Sequence, residues 1–250
     1  MNYAESLLTE TTRVGRVQPH RDDEGTGGHI ESRTIGLPKH LITLTPSNNG
    51  TRNFAPDVTD IRNGGRITEG RASAKVLGYQ TDAQLYAPDG NVAQHIDTIV
   101  PTVAEWIRHY DINLLLSTAR LTDHPDHIAA GIIAFRAAQL VAYEDERRIG
   151  ILEVHPTYGQ QGAWRANATP ESKNLLHQAL AKNVSQFRYI HPAEAPYDAY
   201  RIVTDSLALH QEDRNALSIY PIETDATYTY CQVGQLAVAR ADLITVAAYS

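Results

Sequence analysis

The sequence predicts an α/β fold: a mostly parallel sheet flanked by helices, followed by a C-terminal β-containing cap. Three observations carry this. Short strand-like runs alternate with helical patterns through the first two thirds of the chain. One run, "INLLLST" (112–118), is apolar throughout, as expected for a strand covered on both faces. The last third then changes character, with β-branched and aromatic residues in short runs.

The elements follow in order. "GRVQPH" is a short first strand that ends at His20, and "HLITLTP" (40–46) is a second, rich in Leu, Ile and Thr. "PSNNGTRNFAPD" has the Gly, Asn and Pro content of a loop. "ITEGRASAKVLG" (67–78) predicts a helix stopped by Gly78. "NVAQHIDTIVPTVAEWIRHY" (91–110) predicts an amphipathic helix, with Ile96, Ile99, Val100, Val103, Trp106 and Ile107 at helical spacing. Pro101 is expected to kink that helix or mark its start. "INLLLST" precedes the helix that follows "DHPDH" (123–127). Thr169 and Pro170 suit the cap and first position of a helix through "ESKNLLHQALAKN". The tail "TYTYCQVGQLAVARADLITVAAY" predicts one to three strands. The expected organisation is a single domain over 1–250, with a Rossmann-like core (1–160) and a cap or sheet extension (161–250).

Bulk properties narrow the function. The 250 residues are 42% hydrophobic and 20% charged, with a formal charge of −7, which argues against nucleic acid as the main partner. The lone cysteine, Cys231, allows no internal disulfide and no cysteine-rich zinc motif, so a metal here would be held by His and Asp. The first residues, "MNYAESLLTETTRVG", have no secretory pattern, and no apolar run is long enough to span a bilayer. A cytoplasmic location is expected, with a small-molecule substrate and room for a homo-oligomer.

In open parallel sheets, ligands bind beyond the carboxyl ends of the strands. Two loops leave such ends dense in His and Asp: "PHRDDEGTGGH" after the first strand, and "ARLTDHPDH" after "INLLLST". If the strands are neighbours, the loops meet. Zinc accepts imidazole nitrogen and carboxylate oxygen, and catalytic sites use three protein ligands plus water. His20, Asp23 and His127 are the candidate metal ligands. Asp22 lies beside them, free to take a proton from the attacking water. His124, one helical turn before His127, could hold the oxyanion or protonate the leaving amine, and Asp126 or Asp123 could orient a histidine. The blander reading of "DHPDH" alone is a helix N-cap with solvated neighbours.

These residues resemble the PIG-L/LmbE-like family of zinc-dependent deacetylases, which carries "PHPDDE" or "AHPDDE" after its first strand and "HPDH" before a later helix. This chain has "PHRDDE" (19–24) and "HPDH" (124–127). "GGRITEGRASAKVLG" (64–78) looks like the family's R-x-x-E helix, "YAPDG" (86–90) falls where the family has a substrate-side aspartate, and "KNVSQF" (182–187) looks like its late H-x-S-Q stretch. The similarity runs from about Val17 to Gln186. It implies a Rossmann-like fold and removal of an N-acetyl group from an N-acetylglucosamine-type sugar. It also implies His20, Asp23 and His127 as ligands, Asp22 as base, His124 as transition-state stabiliser, and Arg66 and Asp89 as substrate contacts. The chain departs from the family pattern at Arg21, where the family has Pro, in the shortened turn Gly25–Gly28, and at Asn183, where the family has His. Zn²⁺ is the expected metal, and Fe²⁺ fits the same donors.

Two other functions use the same residues: an amidase for a larger amide such as a thiol-sugar conjugate, and a sugar-binding protein with a vestigial metal site. A dinucleotide oxidoreductase is disfavoured, because the glycines of "GTGG" lack the G-x-G-x-x-G spacing. Among the other histidines, His95, His109 and His177 fall on predicted helices, and His155 and His191 precede prolines in predicted loops. Trp164 is expected to pack rather than to bind sugar.

Overall fold

A computed structural model describes residues 3–23, 28–48, 65–118, 124–155, 164–183, 185, 197–202 and 245–248. The chain runs α1 (Tyr3–Glu10), β1 (Val14–Gln18), α2 (Gly28–Arg33), β2 (Lys39–Thr43), α3 (Gly65–Val76), β3 (Thr81–Gln84), α4 (Ile96–His109), β4 (Leu114–Thr118), α5 (Pro125–Glu144), β5 (Gly150–His155), β6 (Trp164–Asn167), α6 (Pro170–Leu180), β7 (Tyr197–Ile202) and β8 (Thr245–Ala248). The eight-stranded sheet has the order β6-β7-β5-β4-β1-β2-β3-β8. Its centre, β5-β4-β1-β2-β3, is parallel. That is the mostly parallel α/β sheet expected from the alternation, in the strand order of a Rossmann-like core. The strands of the last third, β6, β7 and β8, pair antiparallel at the two flanks of the sheet. Within the described residues they extend the sheet.

The two faces of the sheet are built differently. On one, Val17, Ile42, Ala83, Leu115 and Ile151 pack with α4 and α5 into the main apolar core. α5 is buried nearly all round, because it lies against α4 and crosses β4 and β1. β1 sits close to this layer: a Cβ on Gly15 would meet side-chain atoms of Ile112, Leu115 and Trp106 at 2.8–2.9 Å. The other face mixes apolar and charged residues. Val14, Leu114, Leu116 and Leu152 pack with Leu7 and Ile30. Beside them Arg16 and Lys39, each 1% exposed, flank Glu31 with contacts of 3.2 and 3.0 Å, and Tyr79 donates to the same carboxylate at 2.5 Å. Burial pushes the Glu31 carboxyl up, but Lys39 and Arg16 outweigh it and hold it below its ordinary range.

Several boundaries differ from the sequence expectation. The long helix at 91–110 is two pieces, a 3₁₀ turn (Val92–His95) and α4, and Pro101 lies inside α4. The break falls at His95, not at the proline. β3 ("TDAQ") is a buried strand where no strand is predicted, since its inward residues Asp82 and Gln84 are polar. His155 ends β5 and is not in a loop. α6 starts as expected, with Thr169 and Ser172 forming a reciprocal capping box and Pro170 in the first turn. The predicted loop after residue 48, most of the Gly25–Gly28 turn, Asp123, His191 and most of the tyrosine-rich tail lie outside the described residues, as does the side chain of Trp164.

Candidate active site

β1 and β4 are parallel neighbours, paired from Val14↔Leu114 to Val17↔Ser117. Their carboxyl ends therefore open side by side, and the two His/Asp loops meet there. The turn after β1 folds on itself: the Asp23 carboxylate accepts the backbone N–H of His20 at 2.8 Å and lies 3.2 Å from His20 Nδ1. Its other oxygen is 3.3 Å from His127 Nε2. His20, Asp23 and His127 offer donor atoms all within 4.8 Å of one another. Two imidazole nitrogens and one carboxylate oxygen suit zinc, and they equally suit ferrous iron.

The electrostatics favour a cation at this point. Burial pushes the Asp23 carboxyl up, yet His127 and His20 outweigh it and hold it well below the ordinary carboxylate range. Burial pulls His20 down, yet Asp23, Asp126 and Asp89 outweigh that and raise it well above the usual imidazole value.

Asp126 and Asp89 close the far side of His20. Its Nε2 lies 3.2 Å from Asp126 Oδ2 and 3.3 Å from Asp89 Oδ1. Asp126 is itself anchored, accepting backbone N–H groups of Gly90 at 2.7 Å and Val92 at 3.0 Å. This ties the "PDG" turn that carries Asp89 to the start of α5. His20, His124 and Asp126 form a second group of close donor atoms. A cation there would need the same imidazole to give up its Nε2 proton, so Asp126 is better suited to orienting His20.

His124 is the N-cap of α5. Its Nδ1 accepts the backbone N–H of Asp126 at 3.2 Å, and Pro125 opens the helix. The neutral ring therefore carries its proton on Nε2. The ring centroid lies 4.8 Å from that of His127 and 5.1 Å from that of His20. Burial, then the neighbouring His127 and His20, lower its pKa. The bland N-cap reading therefore applies to this ring, which also lies beside His127 and His20.

Asp22 lies beside the donor group, its side chain 20% exposed, and pairs with Arg66. Burial raises its pKa, against the lowering by Arg66. Arg66, on the first turn of α3, is 4% exposed and also donates to the carbonyl of Ser47 at 2.8 Å. Arg21 turns away from the site. It is 1% exposed and bonds Asp82 and Gln84 of β3 beneath the loop, and a Cβ on Gly70 would meet its Cβ and carbonyl at 2.8 Å. Sequence reasoning found neither Ser47 nor this arginine network. The polar pattern of "TDAQ" was the signal for the latter. Glu69 of the R-x-x-E pattern accepts the backbone N–H of Ser185 at 3.1 Å and its hydroxyl at 2.5 Å, joining the two supporting stretches.

Residues 16–138 match the PIG-L family, described as GlcNAc-PI de-N-acetylase. The chain carries a PIG-L family domain. The matched segment contains His20, Asp22, Asp23, Arg66, Asp89, His124, Asp126 and His127. No curated protein matches the chain by sequence. Solved structures share its fold. The N,N'-diacetylchitobiose deacetylase of Pyrococcus horikoshii is 16% identical with a TM-score of 0.64, covering 80% of this chain and 86% of its own. An A40926 pseudoaglycone deacetylase is 17% identical with a TM-score of 0.59, over 77% and 97%. A 4-carboxy-2-hydroxymuconate hydratase from Pseudomonas putida is 18% identical with a TM-score of 0.58, over 78% and 97%. The PIG-L fold thus hosts more than one reaction, and the reaction has to be argued from the site.

Proposed function

We propose that this chain is a metal-dependent hydrolase that removes the N-acetyl group from an N-acetylglucosamine-type sugar or glycoconjugate. One observation carries the reading: an aspartate that is not needed as a ligand, Asp22, stands beside the His20/Asp23/His127 donor group, with the His124 ring on the α5 side. The PIG-L match and the deacetylases among the fold neighbours support it.

His20, Asp23 and His127 would hold the ion. When bound, such an ion supplies Lewis acidity for the acetyl carbonyl and brings the pKa of water near neutrality. Asp22 takes a proton from the attacking water. Burial raises its pKa, which makes it a better acceptor than an ordinary carboxylate. The Nε2–H of His124 donates to the oxygen that becomes negative as the carbonyl carbon turns tetrahedral. A ring whose pKa is lowered, by partial desolvation and by His127 and His20, suits this role as donor, and the positive end of α5 adds to it. Asp22 then returns its proton to the leaving nitrogen as the C–N bond breaks, giving acetate and a free amine. Asp126 keeps His20 oriented, and Asp89, against the same Nε2, would reach the substrate as the family resemblance implies.

The test is acetate release across a panel of N-acetylated amino sugars and glycoconjugates, with bound zinc and iron measured on the same preparation. Release that needs the metal and vanishes in Asp22→Asn is the expected result. Metal binding with sugar affinity but no release would favour the vestigial binding protein. Release of a larger acyl group only would favour the amidase.

A further inference from the structure

Arg66 lies at the end of a relay that begins at an unusual backbone position. Ser47 has φ +59°, the left-handed region that non-glycine residues seldom occupy, and its side chain is fully buried. The strain is held by three contacts. Its N–H donates to Thr45 Oγ1 at 3.1 Å, and that hydroxyl donates on to the Pro19 carbonyl at 2.8 Å. Its own hydroxyl accepts the backbone N–H of Arg21 at 2.8 Å. Its carbonyl receives Arg66 Nη1 at 2.8 Å. The other terminal nitrogen of Arg66 pairs with Asp22.

We infer that Arg66, aimed by the left-handed turn at Ser47, is a positioning residue for Asp22. The inference rests on the reading of Asp22 as base given above. The geometry is specific. Ser47 grips the backbone on which Asp22 sits, one residue earlier at Arg21, and also the guanidinium that clamps the Asp22 carboxylate. Backbone and side chain of the base are thus referenced to one buried point beyond β2. A planar guanidinium can serve a carbonyl and a carboxylate at once, which an ammonium on a flexible stem cannot do in the same fixed geometry. At 4% exposure, Arg66 has both terminal nitrogens engaged within the protein, one on the Ser47 carbonyl and one on Asp22. Residues in strained backbone cluster where a site must be pre-organised, and here the strain sits one contact away from the base at two points.

The experiment combines kinetics and unfolding on the full chain. Arg66→Ala is expected to lower kcat by about 10²-fold, with KM changed by less than about threefold, because a base displaced by an ångström loses its alignment without loosening substrate. Metal content stays at the wild-type level, and added guanidinium ion restores part of kcat in a saturable way. Arg66→Lys falls between the two. Ser47→Val, whose branched side chain disfavours left-handed backbone, shows the same selective loss of kcat. A rise in KM with unchanged kcat in Arg66→Ala would make Arg66 a substrate contact and overturn the inference. A double-mutant cycle of Arg66→Ala and Asp22→Asn in urea unfolding reads the pair without any reaction. Non-additive effects support the clamp, and additive effects overturn it. A wild-type chain that released no acetate would count against the proposed reaction alone, since the cycle would still decide the pair.

Discussion

The Nδ1 of His124 accepts the backbone N–H of Asp126 at 3.2 Å, so the ring that lies 4.8 Å from His127 also closes the first turn of α5. Two tasks on one side chain can be separated. Asn is as good an N-cap as any residue, and it has no imidazole. His124→Asn is expected to keep stability near wild type, whereas His124→Ala loses about 1 kcal/mol in denaturant unfolding. Both lower kcat by roughly 10²-fold, the loss of one donor to a developing oxyanion. An Asn variant with full kcat would leave the ring with capping alone.

The three proposed ligand positions are expected to respond together. Replacing His20, Asp23 or His127 by Ala is expected to reduce metal stoichiometry sharply in purified protein, by elemental analysis. Full retention of metal in His127→Ala would remove that residue from the set.

Asp22→Asn keeps the shape of the side chain and removes the proton acceptor. It is expected to retain metal and to lose activity by on the order of 10²-fold or more. Loss of metal without any other change would exchange the roles of Asp22 and Asp23.

Gly70 is a packing test of the loop below the site. A Cβ there would meet the Cβ and carbonyl of Arg21, neither of which is the free end of a flexible chain. Gly70→Ala is expected to cost about 1–3 kcal/mol by overpacking. It should also lower kcat, because Arg21 precedes Asp22. Chemical denaturation and steady-state kinetics on one preparation measure both.

His40 makes stability depend on pH. It is 4% exposed at the start of β2, bonds Thr81 at 2.9 Å and stacks on Tyr110 at 4.1 Å. Burial, with Arg13 and His109 nearby, lowers its pKa to about 4. The folded state therefore binds this proton less readily than the unfolded chain, whose histidine has a pKa near ~6.5. The associated stability is complete above that value and is lost as pH falls through the window down to about 4. Urea unfolding across this range should show a shallower pH slope in His40→Gln than in wild type, and an identical slope would exclude the group.

Much of the site was legible because its chemistry is local in sequence. "HRDDE" and "HPDH" each place several ligand-type residues within one turn, and strand neighbours β1 and β4 bring the turns together. α4, α5 and α6 were legible from periodicity and caps. β3 was not. Its buried residues Asp82 and Gln84 face Arg21, so its interior pattern reads as surface. The same applies to Arg16 and Gln18 of β1, which look solvated in the sequence and are fully enclosed by Glu31 and Thr43. Pattern reading assumes that interiors are apolar, and one face of this sheet is held by paired charges. Arg21 appeared as a departure from a family proline, and nothing local said that it turns downward. Ser47 was silent because a positive φ leaves no mark on a serine.

The antiparallel strands at the two flanks of the sheet have a temporal consequence. β6 and β7 cover the edge beyond β5, and β8 covers the edge beyond β3. All three are made after the five parallel strands and every residue of the site. On a ribosome, a nascent chain with its His/Asp loops already in place still presents two bare strand edges, each a template for pairing with another chain. The order of synthesis thus leaves the growing polypeptide adhesive on both sides until the stretch from β6 to β8 emerges, on the order of ten seconds at common elongation rates.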